Sequence, residues 1–344
     1  MSRHANISIF VPHMGCTHRC SFCNQHRITG HAPMPTADTV HKAMARAIDS
    51  SFGGKGQVEL AFFGGSFTAI APDKMLELLA AAQPYLQSGV IDGIRISTRP
   101  DAVGDEMLAL LKNYGVTAIE LGAQSMDDRV LALNRRGHTA LDVESAAQRI
   151  RAAGFELGLQ MMTGLYGDTP QGAVQTAERL AALCPDTVRI YPTVVLKNTE
   201  LQKRVQRGEF TCDSLADTVH LCARLLLFFE QRGIRVIRLG LHELAADDIA
   251  CGPWHPALRE LCQGQIYLEK FMHSLAQRPT GDYTITVGRG ERSKAVGQKK
   301  INLLRLAELG YRVRISEQAG IPPYAFYLEG EEAFAAEINR GSGI

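Results

Sequence analysis

Three cysteines stand close together near the start of the chain, at Cys16, Cys20 and Cys23. Their C-x3-C-x2-C spacing follows an apolar run, Ile7 to Val11, so one loop can bring the three thiolates to a single metal centre. Soft sulfur ligands select iron–sulfur clusters, zinc or copper(I). A 4Fe–4S cluster held by three thiolates keeps one iron open to bind a substrate or cofactor.

A structural zinc site is the alternative that the same residues leave open. Tetrahedral zinc needs a fourth ligand, and nearby histidines could supply it: His13, His18 and His26. The cysteine spacing alone does not decide between the two centres. A non-catalytic, zinc-binding adaptor with a barrel-like fold is therefore the alternative from a different functional class.

The cysteine loop resembles the signature of the radical SAM superfamily, in which an aromatic residue, here Phe22, precedes the last cysteine. The resemblance implies that Cys16, Cys20 and Cys23 hold a 4Fe–4S cluster whose open iron chelates the amine and carboxylate of S-adenosylmethionine (SAM). It also implies reductive cleavage of SAM to a 5′-deoxyadenosyl radical. The electron would come from a small donor such as a flavodoxin or ferredoxin.

The rest of the chain predicts the elements that position this loop. Short β-branched or aromatic runs alternate with helical patterns, which favours a parallel sheet built from βα units. Six strands are predicted: Ile7–Pro12, Val58–Phe63, Ile94–Thr98, Ala118–Gly122, Glu156–Met162 and Thr187–Pro192. Helices are predicted between the strands, among them Pro72–Leu86 and Asp105–Tyr114. Polar or glycine-rich residues follow each strand, where the C-terminal mouth of a parallel barrel binds ligands. The predicted fold class is α/β, a partial (β/α)6 barrel of the type that the radical SAM resemblance implies.

A long helix, Ser214–Arg232, and a seventh strand, Arg235–Leu239, follow the six units. The pattern then changes to a loop, a helix (Ala257–Met272), and two short strands around a further helix, Lys294–Leu309. We therefore expect residues 1–240 to form the barrel and residues 241–344 an α+β extension that caps its open edge or lies in the substrate region. The basic stretch Arg289–Lys300 could hold phosphates, or it is a solvated helix start.

The end of the second strand carries a candidate site for SAM. Gly64, Gly65 and Ser66 resemble the GGE-type motif that binds the SAM amine in the radical SAM family, with Ser66 where Glu or Thr is common. Glycines at such a position let the backbone approach a ligand closely. For an isolated glycine pair, a tight turn is the alternative.

The third and fifth strands add further candidates. The family places residues such as Ser97 and Arg99 against the ribose and carboxylate of SAM. An ion pair between Arg99 and Asp101 is the alternative. Gln160 opens a stretch whose Met and Leu residues fit barrel core or an adenine pocket, and we expect this glutamine to contact the cofactor.

Gln124 and Arg136 complete the predicted SAM site. They lie in two segments, Glu120–Ser125 and Asn134–Thr139, which resemble the GxQS…RxH pattern of oxygen-independent coproporphyrinogen oxidases and of the Elongator catalytic-subunit family. There the glutamine meets the ribose, and the arginine fork meets the carboxylate. The nearest resemblance is to the radical SAM portion of Elongator-like proteins. We expect no acetyltransferase domain in a chain of this length.

Bulk properties exclude several classes of protein. The net charge is +1, so no global field favours a polyanion or a membrane. No run spans a bilayer, and the N-terminus lacks the apolar core of a signal peptide. Eight cysteines without regular pairing favour metal binding over disulfides. We expect an oxygen-sensitive, cytoplasmic protein with no membrane partner.

The substrate is the least determined feature. The Elongator resemblance favours a tRNA base, with tRNA as a partner. A small molecule or peptide is the competing class, because the charge is near neutral and no RNA-binding domain is recognisable. The sequence assigns no catalytic residue.

Overall fold

The computed structural model describes residues 3–12, 20–23, 33–49, 56–241 and 244–328. The chain divides into two compact units. The first consists of Met1–Ser214 and Phe229–Trp254, and the second of Leu215–Phe228 and His255–Ile344. The division at residue 240 that the sequence suggests, between barrel and extension, stays a prediction.

A seven-stranded parallel sheet forms the centre of the first unit within the described residues. The strands of this unit are β1 (Arg3–Val11), β2 (Gly56–Gly64), β3 (Gly93–Thr98), β4 (Val116–Gln124), β5 (Glu156–Thr163), β6 (Thr187–Pro192), β7 (Val195–Leu196), β8 (Arg235–Leu239) and β9 (Ile249–Cys251). The sheet order is β1-β2-β3-β4-β5-β6-β8, and each strand is parallel to its neighbours. Strands β7 and β9 form a separate antiparallel pair. The predicted partial barrel is confirmed.

Helices lie between the strands, as βα units require. They are α1 (Ala37–Asp49), α2 (Pro72–Gln87), α3 (Asp105–Asn113), α4 (Asp128–Leu133), α5 (Ala140–Ala152), α6 (Pro170–Ala182), α7 (Glu200–Gln206), α8 (Leu215–Gln231), α9 (Leu258–Leu275), α10 (Arg292–Val296) and α11 (Ile301–Glu308). Local signals set several starts. Thr139 and Asp142 form a capping box at α5, and Pro72 and Pro170 occupy first positions of α2 and α6.

The two faces of the main sheet differ in polarity. Successive strand residues point to opposite faces. On one face the side chains are apolar and fully buried: Leu60, Phe62, Ile94, Ile96, Ile119 and Leu121. Apolar residues of the helices are buried with them, for example Leu79 of α2 and Leu111 of α3. The alternate strand residues include the buried charged side chains Glu59, Arg95 and Glu120, so the inner face of the curled sheet carries charge.

The second unit contains a three-stranded sheet in the order β11-β10-β12. Its strands are β10 (Gly281–Gly288), β11 (Tyr311–Gln318) and β12 (Phe326–Leu328). β10 and β11 are parallel, whereas β12 is antiparallel to β10. The single helix predicted over Lys294–Leu309 is wrong. It is interrupted between α10 and α11, where Lys299 and Lys300 adopt positive φ angles of 52° and 63°.

Cys212 and Cys251 are joined by a disulfide in the first unit. This corrects the expectation that the cysteines favour metal binding over disulfides. Their separation of 39 residues carries no local signal. Cys251 is the last residue of β9, and Cys212 lies in the segment that precedes α8. No helix among the described residues is long and apolar enough to cross a membrane.

Candidate functional site

The cysteine loop follows β1, at the carboxyl edge of the main sheet. Cys20 and Cys23 lie on a tight turn in which the Cys23 amide donates to the Cys20 carbonyl at 3.2 Å. Both thiols belong to half-buried residues. Cys16 lies outside the described residues, as do all three histidines that the zinc alternative needs. Elsewhere in the described parts of the chain, no group of three His, Cys, Asp or Glu side chains could hold a metal.

Asn134 anchors the cysteine loop from across the barrel. Its side-chain oxygen accepts from Ser21 Oγ at 2.8 Å, and its carbonyl accepts from the Ser21 amide at 3.1 Å. The Ser21 carbonyl in turn accepts from the Leu201 amide at 2.8 Å. Asn134 is fully buried, and its Nδ2 donates to the Val130 and Tyr166 carbonyls. Sequence reasoning included Asn134 in a motif but gave it no role.

Phe22 is the aromatic residue of the cysteine motif. Its ring packs against a buried apolar cluster formed by Val130, Met162 and Leu165, to which Tyr191 also contributes. This packing fixes the turn that carries Cys23. The predicted contact between Phe22 and the cofactor stays a prediction.

The end of β2 depends on two glycines. Gly64 has φ 115°, and a Cβ there would lie 2.2 Å from the Phe10 ring and 2.6 Å from the Val11 carbonyl oxygen. The Gly65 amide donates to that carbonyl at 2.7 Å. Because no side chain fits at Gly64, another group can approach the backbone closely there. The Ser66 hydroxyl is within 2.8 Å of Thr98 Oγ1, which ties the end of β2 to that of β3.

Arg99 is buried, and its guanidinium forks onto Asp101 at 2.8 and 2.6 Å. Burial would raise the pKa of Asp101, but the hydrogen bonds and charge of Arg99 more than offset it and lower that pKa. The structure therefore shows the ion pair that the sequence left open. A contact between Arg99 and SAM stays a prediction.

Ser97 and Gln160 face each other on the inner face. Gln160 Nε2 donates to Ser97 Oγ at 3.3 Å and to Glu120 Oε2 at 3.0 Å. Glu120 also accepts a fork from Arg189 at 2.6 and 2.8 Å. Burial disfavours the guanidinium charge, but the neighbouring Tyr191 and Glu120 more than offset this and raise the pKa of Arg189. Both predicted cofactor residues thus belong to a buried, charged network.

The same network continues deeper into the barrel through Arg95, which is 1% exposed. Arg95 pairs with Glu59 at 2.7 Å and with Glu156 at 3.0 Å, and it lies 3.6 Å from Glu120. We name this set, together with Arg189, the inner-face network. Sequence reasoning missed it. The signal that could have found it was the presence of ionisable residues inside otherwise apolar strands, where charges need partners.

Gln124 ends β4 in a left-handed conformation, with φ 67°. The register between β4 and β5 shifts there, between Gly122 and Gln124. A non-glycine residue in this region is a strained conformation that points to a functional role. The Gln124 side chain is buried, and its Oε1 has no hydrogen-bond partner.

Arg136 reaches the cysteine loop. Its Nη1 donates to Cys20 Sγ at 3.1 Å, its Nη2 donates to the Gly122 carbonyl at 2.6 Å, and its Nε is buried without a partner. His138 donates from Nε2 to the Ala123 carbonyl at 3.2 Å, and its buried Nδ1 is unpartnered. The pKa of His138 is lowered to about 4, mainly because the side chain is buried and next because Arg136 is positively charged. This imidazole is therefore neutral near pH 7.

These residues fit a polar cofactor beside a thiolate-bound cluster. Gln124, Arg136 and His138 each bury a polar atom without a partner, whereas buried polar groups are almost always hydrogen-bonded. All three belong to the end of β4 and the segment that follows α4, close to the Cys20 thiol. Gly64 and Gly122 have no side chain to obstruct this edge. The donor set, two thiols beside an arginine, suits an anionic iron–sulfur centre.

A partial parallel barrel with a cysteine loop and unpartnered polar atoms at its carboxyl edge defines a cofactor-binding α/β enzyme. A family model for the radical SAM superfamily matches residues 10–180, and a model for the radical SAM C-terminal domain matches residues 185–268. The chain belongs to the radical SAM superfamily, whose enzymes use SAM and a 4Fe–4S cluster.

Several relatives belong to the Elongator group. The chain is 32% identical to human Elongator complex protein 3 over 174 residues, which is 49% of this chain and 31% of the relative. An uncharacterized protein of Methanocaldococcus jannaschii is 28% identical over 206 residues, 59% of this chain and 60% of the relative. The chain thus spans less than two thirds of either relative.

A tRNA-modifying relative and a solved structure are also similar to the chain. A tRNA uridine(34) acetyltransferase of Dehalococcoides mccartyi is 33% identical over 122 residues, 35% of this chain and 27% of the relative. The solved structure of archaeal Elp3 from Methanocaldococcus infernus, with its N-terminus deleted, superimposes with a TM-score of 0.62 at 19% identity. The match covers 81% of this chain and 65% of the archaeal chain, and it supports the barrel fold.

Proposed function

We propose that the protein cleaves SAM reductively at a 4Fe–4S cluster held by Cys16, Cys20 and Cys23, and that the product radical abstracts hydrogen from an RNA base. The observation that carries the first part is the Cys20–Cys23 turn, held by Asn134 beside three unpartnered buried polar atoms. When bound, the cluster supplies one electron that splits the sulfonium of SAM into methionine and a 5′-deoxyadenosyl radical.

The residues of the chain would divide the work of binding. The cysteine loop would hold the metal, and the closely approachable backbone at Gly64 and Gly65 would receive the SAM amine. The free Oε1 of Gln124 accepts hydrogen bonds, which suits a ribose hydroxyl. Phe22 and its apolar cluster would exclude water from one side of the site. A reduced flavodoxin or ferredoxin in the cytoplasm would supply the electron.

Anaerobic reconstitution tests the cluster assignment. The wild type is expected to bind iron and sulfide, to turn brown and to form 5′-deoxyadenosine when dithionite and SAM are added. A Cys20→Ala variant should lose both properties, because a thiolate ligand is missing. A matched control is Cys184→Ala, since Cys184 is exposed on the surface. Stoichiometric zinc, or a Cys20→Ala variant that still forms 5′-deoxyadenosine, would contradict the proposal.

The RNA part of the proposal is supported by charge in the second unit and by the tRNA uridine(34) acetyltransferase among the relatives. Residues 278–314 carry nine Lys or Arg and three Asp or Glu, although the whole chain is near neutral. Two of the three carboxylates are already paired, Glu291 with Lys294 and Asp282 with Arg312. The exposed cations Lys299, Lys300 and Arg305 are thus suited to phosphates.

Salt-dependent tRNA binding tests this part. Neutralising Lys299 and Lys300 to Gln should weaken binding and reduce the slope of log affinity against log salt by about 0.7–0.9 for each phosphate that the variant no longer neutralises. Arg46→Gln with Arg149→Gln removes two exposed charges in the first unit and serves as the control. Equal effects of the two pairs, or no tRNA binding at all, would favour a small molecule or peptide as substrate.

A further inference from the structure

The guanidinium of Arg136 donates one hydrogen bond to a backbone carbonyl and another to a cysteine sulfur. Nη2 is fixed by the Gly122 carbonyl at 2.6 Å, so the fork orients Nη1 toward Cys20 Sγ, 3.1 Å away. A Cβ at residue 122 would lie 3.4 Å from Nη2 and 3.1 Å from Gln124 Nε2, so the glycine leaves room for both side chains. The contact is therefore built by the end of β4 and is specific in direction.

The charge of Arg136 has no acidic partner among the described residues. Arg99 and Arg189, two other arginines of the barrel, each fork onto a carboxylate. Arg136 is buried, at 8% exposure, yet it meets only a carbonyl and a thiol. A buried cation without a counter-charge is costly. The anion that this site lacks is supplied once Cys20 becomes a thiolate ligand of a cluster.

We propose that Arg136 is a positioning residue for the cluster, whose hydrogen bond to the Cys20 thiolate raises the cluster's reduction potential. This inference rests on the proposed function. A cluster with three thiolate ligands gains one unit of negative charge when a reduced flavodoxin or ferredoxin gives it one electron, and no bond forms or breaks in this step. A charged donor on the ligand sulfur stabilises that added charge.

The role differs from the one that the sequence suggests. A SAM-carboxylate partner acts only when SAM is present, whereas a hydrogen bond to Cys20 acts on the cluster alone. The two roles therefore separate in the absence of SAM. Nη1 and Nη2 each make one of these bonds, and Nε is the guanidinium nitrogen that has no partner and can donate to another group.

The test is a redox titration of the reconstituted, SAM-free protein, followed by the electron paramagnetic resonance of the reduced cluster. Arg136→Gln is expected to lower the midpoint potential by about 59 mV or more, which is a tenfold smaller ratio of reduced to oxidised cluster for one electron. Arg136→Lys, which keeps the charge, should fall between this variant and the wild type. Arg135→Gln removes the adjacent exposed charge and should leave the potential unchanged.

Iron and sulfide are counted in every sample, so that only fully loaded protein is titrated. If Arg136→Gln assembles no cluster, the inference is tested on Arg136→Lys instead. A midpoint potential of Arg136→Lys equal to that of the wild type would then overturn the inference. An unchanged potential in Arg136→Gln, with weaker SAM binding, would also overturn it and return Arg136 to the SAM carboxylate. A wild type that assembles no cluster would instead refute the proposed function.

Discussion

The inner face of the barrel and the carboxyl ends of its strands both bury arginines, but the two regions compensate those charges differently. In the inner-face network, Arg95 and Arg189 meet carboxylates of β2, β4 and β5. Arg95 Nη1 has no hydrogen-bond partner, but it lies 3.6 Å from the carboxylate of Glu120. At the strand ends, Arg136 has no acidic partner among the described residues, and the neighbouring Gln124 and His138 also keep polar atoms without partners. Paired buried charges help to fix the scaffold, whereas a buried charge without a counter-charge indicates where an external ligand belongs.

The largest expected effect comes from removing a carboxylate of the inner-face network. Glu120→Ala leaves Arg189 buried without its carboxylate, and it removes an acceptor of Gln160. Loss of one partner of a buried pair costs about 3–5 kcal/mol. Urea unfolding followed by the fluorescence of Trp254, the single tryptophan, measures the change. Glu209→Ala, which removes an exposed ion pair, is the control and should leave the midpoint unchanged. Equal midpoints for both variants would show that the network does not stabilise the barrel.

A second effect follows from the buried His138. Its pKa falls from 6.5 to about 4 on folding, so the unfolded chain binds the proton more tightly. The stability that neutral His138 contributes is complete above pH 6.5 and is lost as the pH falls toward 4. The expected loss between pH 7 and pH 4.5 is about 2–3 kcal/mol.

The measurement compares urea unfolding of the wild type with that of His138→Gln, which keeps a donor for the Ala123 carbonyl but does not titrate. The free energy of unfolding of the wild type should fall more steeply over this pH range than that of the variant. Parallel curves would mean that His138 is not held neutral by the strand end.

The smallest effect concerns Asn134, which binds the cysteine turn. Asn134→Ala removes the side-chain bonds to Ser21, Val130 and Tyr166, and should cost about 1–3 kcal/mol. It should also lower the iron retained after reconstitution, because the cysteine turn loses its anchor. Asn113→Ala, at the exposed end of α3, is the matched control. Full iron retention in Asn134→Ala would show that the cysteine loop does not need the Asn134 side chain to bind metal.

Local patterns predicted most of the barrel. Strand β6 has the bounds that the sequence suggests, and α2 and α3 start at the residues predicted, Pro72 and Asp105. Each of these depends on signals within a few residues, such as a proline at a first helical position or a strict run of β-branched residues. The sequence predicted one helix where the structure has two, α10 and α11. The prediction was wrong because Gly297 and the positive φ angles of Lys299 and Lys300 interrupt a continuous helical pattern.

Long-range pairings could not be predicted in the same way. The sequence indicated Gln124, Arg136 and Gln160 as site residues, but their partners depend on register and bulges across several strands. Arg136 meets Cys20 across 116 residues, and Arg189 meets Glu120 across 69. No spacing rule connects such positions. The candidate site residues could be inferred from residue types, whereas the hydrogen-bond partners of each guanidinium could be identified only from the structure.

The anchoring of Ser21 has a consequence for biosynthesis. Its amide and hydroxyl bind Asn134, and its carbonyl receives the amide of Leu201, so the turn with Cys20 and Cys23 is held by chain that is translated much later. A nascent polypeptide on the ribosome cannot fix this turn until residue 201 has emerged from the exit tunnel. We therefore expect the turn that carries Cys20 and Cys23 to be complete only when nearly the whole barrel has been made.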